Sequence, residues 1–238
     1  MTIFDTRLER REEIATGTMA FHLRKPRGLG FTAGQAVTLE LVEPPAGEGQ
    51  GQRTFSIVSA PFEDTLLFAT RMRDTAFKRA LRALPDGAPM RIDGPYGELQ
   101  LGNDARPAVF IAGGIGITPF VSMLRQATRD RSARRLRLIY SNRRPEDAAF
   151  LDELQGLEGR NANFRLFATM TDMGNSSRAW DGETRLVDAG LLKQAAADVA
   201  APVYYVVGPP AMVEAMKLTL KEAGVAAADI RTEEFFGY

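Results

Sequence analysis

The sequence contains no cysteine and a single histidine among its 238 residues. Without cysteine, the chain forms no disulfide and offers no thiol nucleophile, no cysteine–zinc site and no cysteine-ligated iron–sulfur cluster. The one histidine, His22, cannot build a histidine cluster for a metal or haem, and it alternates with Phe21 and Leu23 in a strand-like run. We therefore predict a structural role for His22 and no metal site.

Net charge and long apolar runs are absent as well. Thirty basic and thirty acidic residues cancel, so no global charge draws the chain to nucleic acid or to an anionic membrane. No apolar run approaches the roughly 20 residues that a membrane helix needs, and the first residues contain no signal-peptide core. We therefore expect a cytoplasmic protein, and the length suits one large or two small domains.

The first 105 residues have the periodicity of short strands separated by glycine, proline and acidic turns. This spacing predicts a small antiparallel barrel. One helix interrupts it at 75–84, with Phe77, Leu81 and Leu84 on one face and Asp74 as the expected N-cap. The predicted strands are 6–14, 18–24, 36–42, 54–58, 65–73 and 90–92.

After residue 105 the pattern alternates between strands and helices. Such alternation predicts a parallel sheet with helices on both faces, and we place the domain boundary at Arg106–Pro107. The predicted strands are 109–112, 136–140, 164–169, 203–207 and 230–235, and the predicted helices are 119–128, 145–154, 187–195 and 209–223.

The segment from Val109 to Pro119 joins a buried strand to a helix through a glycine turn. Gly113, Gly114 and Gly116 lack side chains that would keep a ligand from the backbone. Backbone N–H groups and the positive end of the helix then point to one place, which suits a pyrophosphate. A tight turn that binds nothing is the alternative, because glycine fingerprints are common.

Four motifs occur in order along the chain. They are Arg-Thr-Phe-Ser at 53–56, Gly-Gly-Ile-Gly-Ile-Thr-Pro at 113–119, Val-Gly-Pro-Pro at 207–210 and Glu-Phe-Phe-Gly-Tyr at 234–238. Together they resemble the ferredoxin–NADP reductase superfamily of flavoproteins, from about Thr2 to the last residue. The resemblance implies an FAD-binding, six-stranded antiparallel Greek-key β-barrel over 1–105. It also implies a Rossmann-like, NAD(P)-binding α/β domain over 106–238.

The resemblance implies how the first half would hold a flavin. Arg53 would bind a phosphate in bidentate fashion, Phe55 would pack on the isoalloxazine, and the Ser56 hydroxyl would hydrogen-bond N5, the atom that receives hydride. The family usually has tyrosine at position 55, so a hydroxyl that often contacts the ribityl chain is missing. We expect FAD, with FMN as the alternative. Further expected contacts are Thr54, Arg71, Met72 and Thr75, although relatives tend to show Gly-x-x-Ser around Thr75.

The resemblance also implies a nicotinamide site in the second half. A cysteine often precedes the Gly-Pro pair in the family, but here the residue is Val207, so no thiol takes part. The helix after this pair begins at proline, which leaves backbone N–H groups facing an open loop. The expected contacts are Gly113, Gly114, Gly116, Thr118, Pro119, Gly208 and Pro209.

The type of nicotinamide depends on what meets the adenosine 2′ position, since a phosphate calls for Arg, Lys or Ser and a hydroxyl for a carboxylate. Ser141, Arg143 and Arg144 follow the second strand of this half and would suit a phosphate. Asp172 follows the third strand, where plant-type relatives have Ser-Arg, and would repel it. The two arginines could also be solvated surface charges. NADH and NADPH both remain open, and Asp172 favours NADH.

The last residues are rich in aromatic side chains, which argues that they are packed, although chain ends usually fray. Relatives place a terminal aromatic ring against the flavin, and Phe235 is the first candidate and Tyr238 the second. Glu233 or Glu234 would orient the nicotinamide. The alternative is that the phenylalanines only complete the last strand. We expect Ser56, Glu234 and Phe235 nearest the chemistry.

These expectations combine into a two-domain flavoenzyme in which the nicotinamide meets the flavin in a cleft between the domains. Hydride transfer needs little acid–base help, so the lack of histidine and cysteine machinery fits. The electrons would pass singly to a separate ferredoxin, flavodoxin, cytochrome or oxygenase. The alternatives are a reductase of free flavin or another small acceptor, and a non-catalytic flavin or nucleotide module.

Overall fold

The structure is a computed structural model that describes residues 2–43, 51–102 and 104–236. The chain divides into two compact units, Met1–Gln100 with Thr118–Gln126 and Leu101–Ile117 with Ala127–Tyr238. No helix among the described residues is long and apolar enough to cross a membrane. The predicted assignment of one cofactor to 1–105 and the other to 106–238 stays a prediction.

The first unit is built on a six-stranded sheet in which every neighbouring pair is antiparallel, in the order β4-β3-β6-β1-β2-β5. Val58 N–H, just after β4, donates to Leu67 O on β5 at 2.8 Å, which brings the two edge strands together. The predicted barrel is therefore confirmed. Its strands are β1 (Ile3–Ala15), β2 (Thr18–Arg24), β3 (Ala36–Leu41), β4 (Gln52–Ser56), β5 (Thr65–Arg71) and β6 (Pro89–Tyr96).

Alternating apolar side chains from these strands form the core of the first unit, including Phe21, Leu39 and Phe68. Helix α1 (Ala76–Ala83) adds Phe77 and Leu81, which lie four residues apart on its buried face. The predicted cap was wrong. Thr75 caps α1 because its hydroxyl accepts from Lys78 N–H, while the Asp74 carboxylate is paired with Arg79.

The second unit contains a five-stranded parallel sheet in the order β11-β10-β7-β8-β9, with helices between the strands, as predicted. Every residue of β7 and β10 is buried, as expected of central strands covered on both faces. The strands are β7 (Ala108–Gly113), β8 (Leu136–Asn142), β9 (Phe164–Met170), β10 (Val203–Gly208) and β11 (Ile230–Glu234). The helices are α2 (Thr118–Arg129), α3 (Leu151–Arg160), α4 (Ala189–Ala195) and α5 (Pro210–Glu222).

The predicted helix over 145–154 is divided in the structure. A 3₁₀ turn spans Pro145–Asp147, and Phe150 then takes a left-handed conformation, with φ at 62°, immediately before α3. A helix cannot run through a residue in that conformation. The apolar periodicity of the segment does not reveal this break.

The residues Thr118–Gln126 of α2 group with the first unit rather than the second. Two contacts account for part of this grouping. Ser122 Oγ donates to Ser59 O at 2.7 Å, and the Arg125 guanidinium lies 3.2 Å from the Glu63 carboxylate. The helix that follows the glycine turn is therefore fixed to the barrel unit by a buried hydrogen bond and an ion pair.

Candidate functional site

Strand β4 places Arg53 and Phe55 on the same side, beside α1. The Phe55 ring stacks on the Phe77 ring with centroids 6.2 Å apart, and the Arg53 guanidinium carbon lies 5.5 Å from the centroid of Phe77. Arg53 is exposed, Phe55 is half-buried and Ser56 is buried. The structure thus brings Arg53 and Phe55 together with a second aromatic ring, that of Phe77.

A cationic cluster lies at the beginning of α1. Burial lowers the pKa of Lys78, and the nearby charges of Arg73 and Arg53 lower it further. The Lys78 ammonium donates to Arg71 O at 2.7 Å, so its stem is held against the end of β5. Among the described residues, none of the three cations is joined to a carboxylate by an ion pair. We define Arg53, Arg73 and Lys78 as the α1 cationic cluster.

This cluster provides a direct test of whether the unit fits a flavin nucleotide. Like charges held close together are unfavourable unless an anion joins them. The N-terminus of α1 places the positive end of the helix dipole beside the same cations. The donor set therefore fits a pyrophosphate. Arg53 and Thr75 were predicted from the sequence, whereas Arg73 and Lys78 were not, although they lie in the basic run over 71–82.

The other first-unit candidates take different positions. Thr54 points to the opposite face of β4, where its Oγ1 lies 3.1 Å from the hydroxyl of Tyr96, and Tyr96 also hydrogen-bonds to Thr38. Arg71 is half-buried at the end of β5. Met72 packs against the barrel core, and its N–H donates to Gly17 O at 2.7 Å. Met72 is therefore tied to the core.

In the second unit, the glycines between β7 and α2 pack closely against neighbouring protein atoms, as expected of a tight turn. A Cβ on Gly116 would lie 2.4 Å from Val207 O, and a Cβ on Gly113 would lie 2.3 Å from Met212 Sδ and 3.0 Å from Pro209 Cδ. Gly114 has φ at 52°, a conformation that favours glycine. The turn itself is a 3₁₀ helix over Gly114–Ile117 that leads directly into Thr118, which is buried, and Pro119. These glycines let the turn approach the end of β10 closely.

The carboxyl ends of β7, β10 and β11 lie together. A Cβ on Gly208 would lie 3.2 Å from Gly113 N, and Gly208 is in register with Glu234 on β11. Phe235 N–H donates to Gly208 O at 3.0 Å, which fixes the half-buried Phe235 at this edge. Ligands of parallel α/β sheets bind where the strand order reverses, at the carboxyl ends, and β7 with β10 forms that reversal here.

Two further observations concern this edge. Burial raises the pKa of Glu233, the neighbour of Glu234. Asn142, at the end of β8, keeps its buried Nδ2 without a hydrogen-bond partner among the described residues. That orphaned donor fits an edge built to receive a polar ligand. Tyr238 lies outside the described residues, so its expected contact with the flavin stays a prediction.

Two of the candidates for the adenosine 2′ position are joined directly. Arg143 donates to the Asp172 carboxylate at 2.9 Å, and its side chain is exposed. Arg144 forms two hydrogen bonds of 2.8 Å to Asp147. Ser141 is half-buried next to the last residue of β8. No group of three or more His, Asp or Glu in the described part of the chain could hold a metal ion.

An antiparallel barrel with a cationic helix terminus, followed by a parallel sheet with a glycine turn at its switch point, defines a class of nucleotide-binding redox proteins. The profile of the oxidoreductase NAD-binding domain family matches residues 110–218. Ferredoxin–NADP reductase B from Sorangium cellulosum is 32% identical over 228 residues, which cover 91% of this chain and 90% of the relative.

Two further proteins extend the comparison. The phthalate 4,5-dioxygenase oxygenase reductase subunit of Pseudomonas putida is 33% identical over 71% of this chain, and the match spans 51% of that relative. A ferredoxin NADP⁺ reductase from Neisseria gonorrhoeae, solved with bound FAD and NADP, superposes with a TM-score of 0.84 at 25% identity, covering 99% of this chain and 100% of that one. The chain belongs to the ferredoxin–NADP reductase superfamily, and the resemblance stated from its motifs is confirmed.

Proposed function

We propose that this protein is an NAD(P)H-dependent flavoprotein reductase that binds FAD and delivers electrons to a separate redox protein. When bound, FAD supplies the chemistry of accepting a hydride and releasing its two electrons one at a time. The observation that carries the proposal is the α1 cationic cluster beside Phe55 in a chain of this superfamily. Its cations lie at a helix terminus and join no carboxylate among the described residues.

The first unit would hold the FAD. Arg53, Lys78 and the N-terminus of α1 bind the pyrophosphate, because they offer charge-assisted hydrogen bonds to its oxygens. The half-buried ring of Phe55 packs on the isoalloxazine, and the Ser56 hydroxyl donates a hydrogen bond to it. Arg71 and Thr75 complete the proposed contacts, with Arg73 added to the set predicted from sequence. Thr54 lies on the opposite face of β4 and Met72 packs against the barrel core, so we leave both out of this set.

The second unit would hold the nicotinamide dinucleotide at the carboxyl edge of its sheet. The backbone of the turn from Gly113 to Thr118 faces the pyrophosphate, and Gly208 with Pro209 bounds the nicotinamide. Glu234 and Phe235 lie at the same edge because Phe235 N–H is bonded to Gly208 O. These groups bind and orient, and no proton transfer by a protein side chain is required.

The proposed acceptor is a one-electron carrier such as a ferredoxin, flavodoxin, cytochrome or oxygenase component. The relatives named above are a ferredoxin–NADP reductase and an oxygenase reductase subunit. Because this chain has no cysteine, a cysteine-ligated iron–sulfur cluster would lie outside it. We propose a cytoplasmic location as well, since NADH and NADPH are regenerated there.

The direct test combines flavin retention with flavin reduction. The purified protein is loaded with FAD, desalted and mixed anaerobically with NADH or NADPH while absorbance near 450 nm is followed. Arg53→Ala should weaken FAD binding by about tenfold to a hundredfold, because a hydrogen bond to a charged group contributes roughly 1.5–3 kcal/mol. The wild-type protein should keep its FAD and bleach rapidly.

Arg82→Ala is the matched control, because Arg82 is an exposed cation in the last turn of the same helix. It should leave FAD affinity unchanged. Full FAD retention in Arg53→Ala would contradict the proposed phosphate site. A colourless wild-type protein that does not retain added FAD after desalting, but reduces free flavin in solution, would instead support a reductase of free flavin.

A further inference from the structure

We infer that this chain selects NADH over NADPH, because the ends of β8 and β9 present a carboxylate to the adenosine 2′ position and bind their own arginines. The inference rests on the proposed function in one respect: the nicotinamide dinucleotide binds at this edge of the sheet. It goes further by choosing between the two donors, which the family leaves open.

The order of the strands indicates where the adenosine 2′ group would bind. In a nucleotide-binding α/β unit, the glycine turn follows the first strand, and the residue that meets the adenosine 2′ group follows the next strand. Here β7 carries the glycine turn, and Arg143 with Arg144 directly follows β8. Asp172 follows the adjacent strand β9, and its N–H donates to Arg143 O at 2.8 Å. The two segments therefore form one local surface.

Two hydrogen bonds fix the Asp172 carboxylate, and its oxygens can still accept further hydrogen bonds. Its Oδ2 accepts from Arg143 at 2.9 Å and its Oδ1 accepts from Asn175 Nδ2 at 2.7 Å. These bonds hold its pKa below the usual range, so the group stays anionic near neutral pH. A carboxylate has about four acceptor positions, and the unused ones can accept hydrogen bonds from a ribose diol.

Arg144 forms more hydrogen bonds to protein groups than Arg143 does. Its guanidinium forms a bidentate pair with the buried Asp147 and also donates to Asn175 O at 3.1 Å. Bidentate carboxylate pairing uses the same planar fork that a phosphate would need. A 2′-phosphate would have to share the guanidinium of Arg144 with the buried carboxylate of Asp147, or take it from that carboxylate, which is costly.

The hydroxyl groups nearby are committed in the same way. Ser176 Oγ and Ser177 N–H donate to the Glu146 carboxylate, each at 2.9 Å. The next cation along the chain, Arg178, lies 3.8 Å from the carboxylate of Asp152. These potential phosphate ligands around the end of β9 are therefore already paired with an acidic group.

The charges of this surface decide between the donors. Three carboxylates (Glu146, Asp147 and Asp172) outnumber the guanidinium groups of Arg143 and Arg144, so the cluster is net negative. A 2′-phosphate would add a second like charge next to Asp172, whereas a 2′-hydroxyl donates to it. Specificity then comes from repulsion of the wrong donor as well as attraction of the right one.

The experiment titrates the FAD-loaded full chain with 5′-AMP and with adenosine 2′,5′-bisphosphate by calorimetry, and measures kcat/KM for NADH and NADPH in parallel. The wild type should bind 5′-AMP more tightly and favour NADH. Asp172→Asn should shift the ratio of the two dissociation constants toward the bisphosphate by about tenfold, because a like charge is removed and Arg143 is released.

Two variants make the result specific. Adding Arg143→Ala to Asp172→Asn should cancel most of the gain, since the freed guanidinium is the new phosphate ligand. Glu222→Gln removes one exposed carboxylate at the far end of α5, and it should leave the ratio unchanged. A shift of equal size in Glu222→Gln would mean that net charge, and not Asp172, sets the preference.

A wild type that favours the bisphosphate, or an unchanged ratio in Asp172→Asn, would overturn the inference. If neither nucleotide binds while NADH still bleaches the flavin, the adenosine does not bind at this edge, and the inference fails while the proposed function stands. If no donor bleaches the flavin, the proposed function fails, and the calorimetric ratio still decides the preference.

Discussion

At the scale of single residues, the glycine turn after β7 is both closely packed and located at the proposed ligand-binding edge of the sheet. Gly113 and Gly116 lack side chains where the backbone of the turn meets the end of β10 and the start of α5, so the space that glycine leaves is filled by protein. Their N–H groups still lie at the carboxyl edge of the sheet. A substitution here therefore changes the packing of the second unit before it changes any ligand contact.

Gly116→Ala should destabilise the protein because its Cβ would lie 2.4 Å from Val207 O and 2.7 Å from Val207 C, both of which are backbone atoms that cannot rotate away. Overpacking of this kind costs about 1–3 kcal/mol. The melting temperature, followed by circular dichroism, should fall by several degrees, and the KM for the nicotinamide donor should rise as the end of β10 moves.

Gly159→Ala provides the control in α3. A Cβ there meets nothing within 4 Å and the residue is helical, so alanine should raise stability by about 0.5–1 kcal/mol. If Gly116→Ala melted at the wild-type temperature, the close approach to β10 would not constrain this turn.

The site residues that could be predicted from the sequence are those that belong to a local motif. Arg53 and Phe55 were identified because the Arg-Thr-Phe-Ser motif resembles that of the superfamily, and the structure places both beside Phe77. Lys78 and Arg73 were missed because their role depends on how β5 and α1 meet β4, which no short spacing encodes. Arg144 was identified as a cation, but its bidentate bond to Asp147 became evident only from the fold.

At the scale of elements, α1 combines a capped N-terminus, a buried apolar face and a cationic first turn. Thr75 accepts from Lys78 N–H at 3.3 Å, and the same turn carries Lys78, one of the cations that we assign to the pyrophosphate. The cap and the cofactor site thus depend on the same backbone. A change in the cap should therefore alter both stability and FAD affinity.

Thr75→Ala should lower the free energy of unfolding by about 1 kcal/mol, the usual cost of removing a hydroxyl cap, and should weaken FAD binding in a fluorescence titration. Thr75→Ser retains a hydroxyl at the cap and should preserve both properties. Wild-type stability and FAD affinity in Thr75→Ala would show that the cap does not organise this terminus.

Periodicity predicted most elements because most obey a single rule from end to end. β7 and β10 are continuous apolar runs, and α5 has its proline at the start. The segment over 145–154 failed because Glu146 accepts a hydrogen bond from Ser176, far along the chain, and because Phe150 takes a left-handed conformation. The bond to Ser176 is long-range, so the local pattern does not contain it.

At the scale of the whole molecule, the two units are not two successive stretches of chain. Thr118–Gln126 belongs with the barrel unit although it follows β7, and Ser122 and Arg125 bind Ser59 and Glu63 there. The predicted boundary at 105/106 describes where the sequence pattern changes. A fragment that ends at that point lacks a helix that packs with its own unit.

A fragment of residues 1–105 should therefore be less stable than a fragment of residues 1–130, which retains α2. We expect a melting temperature lower by about 5 °C or more, since about 1 kcal/mol corresponds to 4–8 °C in a domain of this size. The two fragments are compared by circular dichroism at equal concentration. Equal melting temperatures would mean that α2 contributes nothing to the stability of the barrel unit.

The order of the parallel sheet also has a consequence for synthesis on the ribosome. β7 can pair with β8 soon after it emerges, but its other neighbour, β10, begins only at Val203. At roughly 5–20 residues per second, a strand whose residues are all buried in the finished fold waits roughly 5–20 s with one edge open. The nascent chain is thus exposed to aberrant strand pairing during that interval, and slowing translation between β8 and β10 would lengthen its dependence on chaperones.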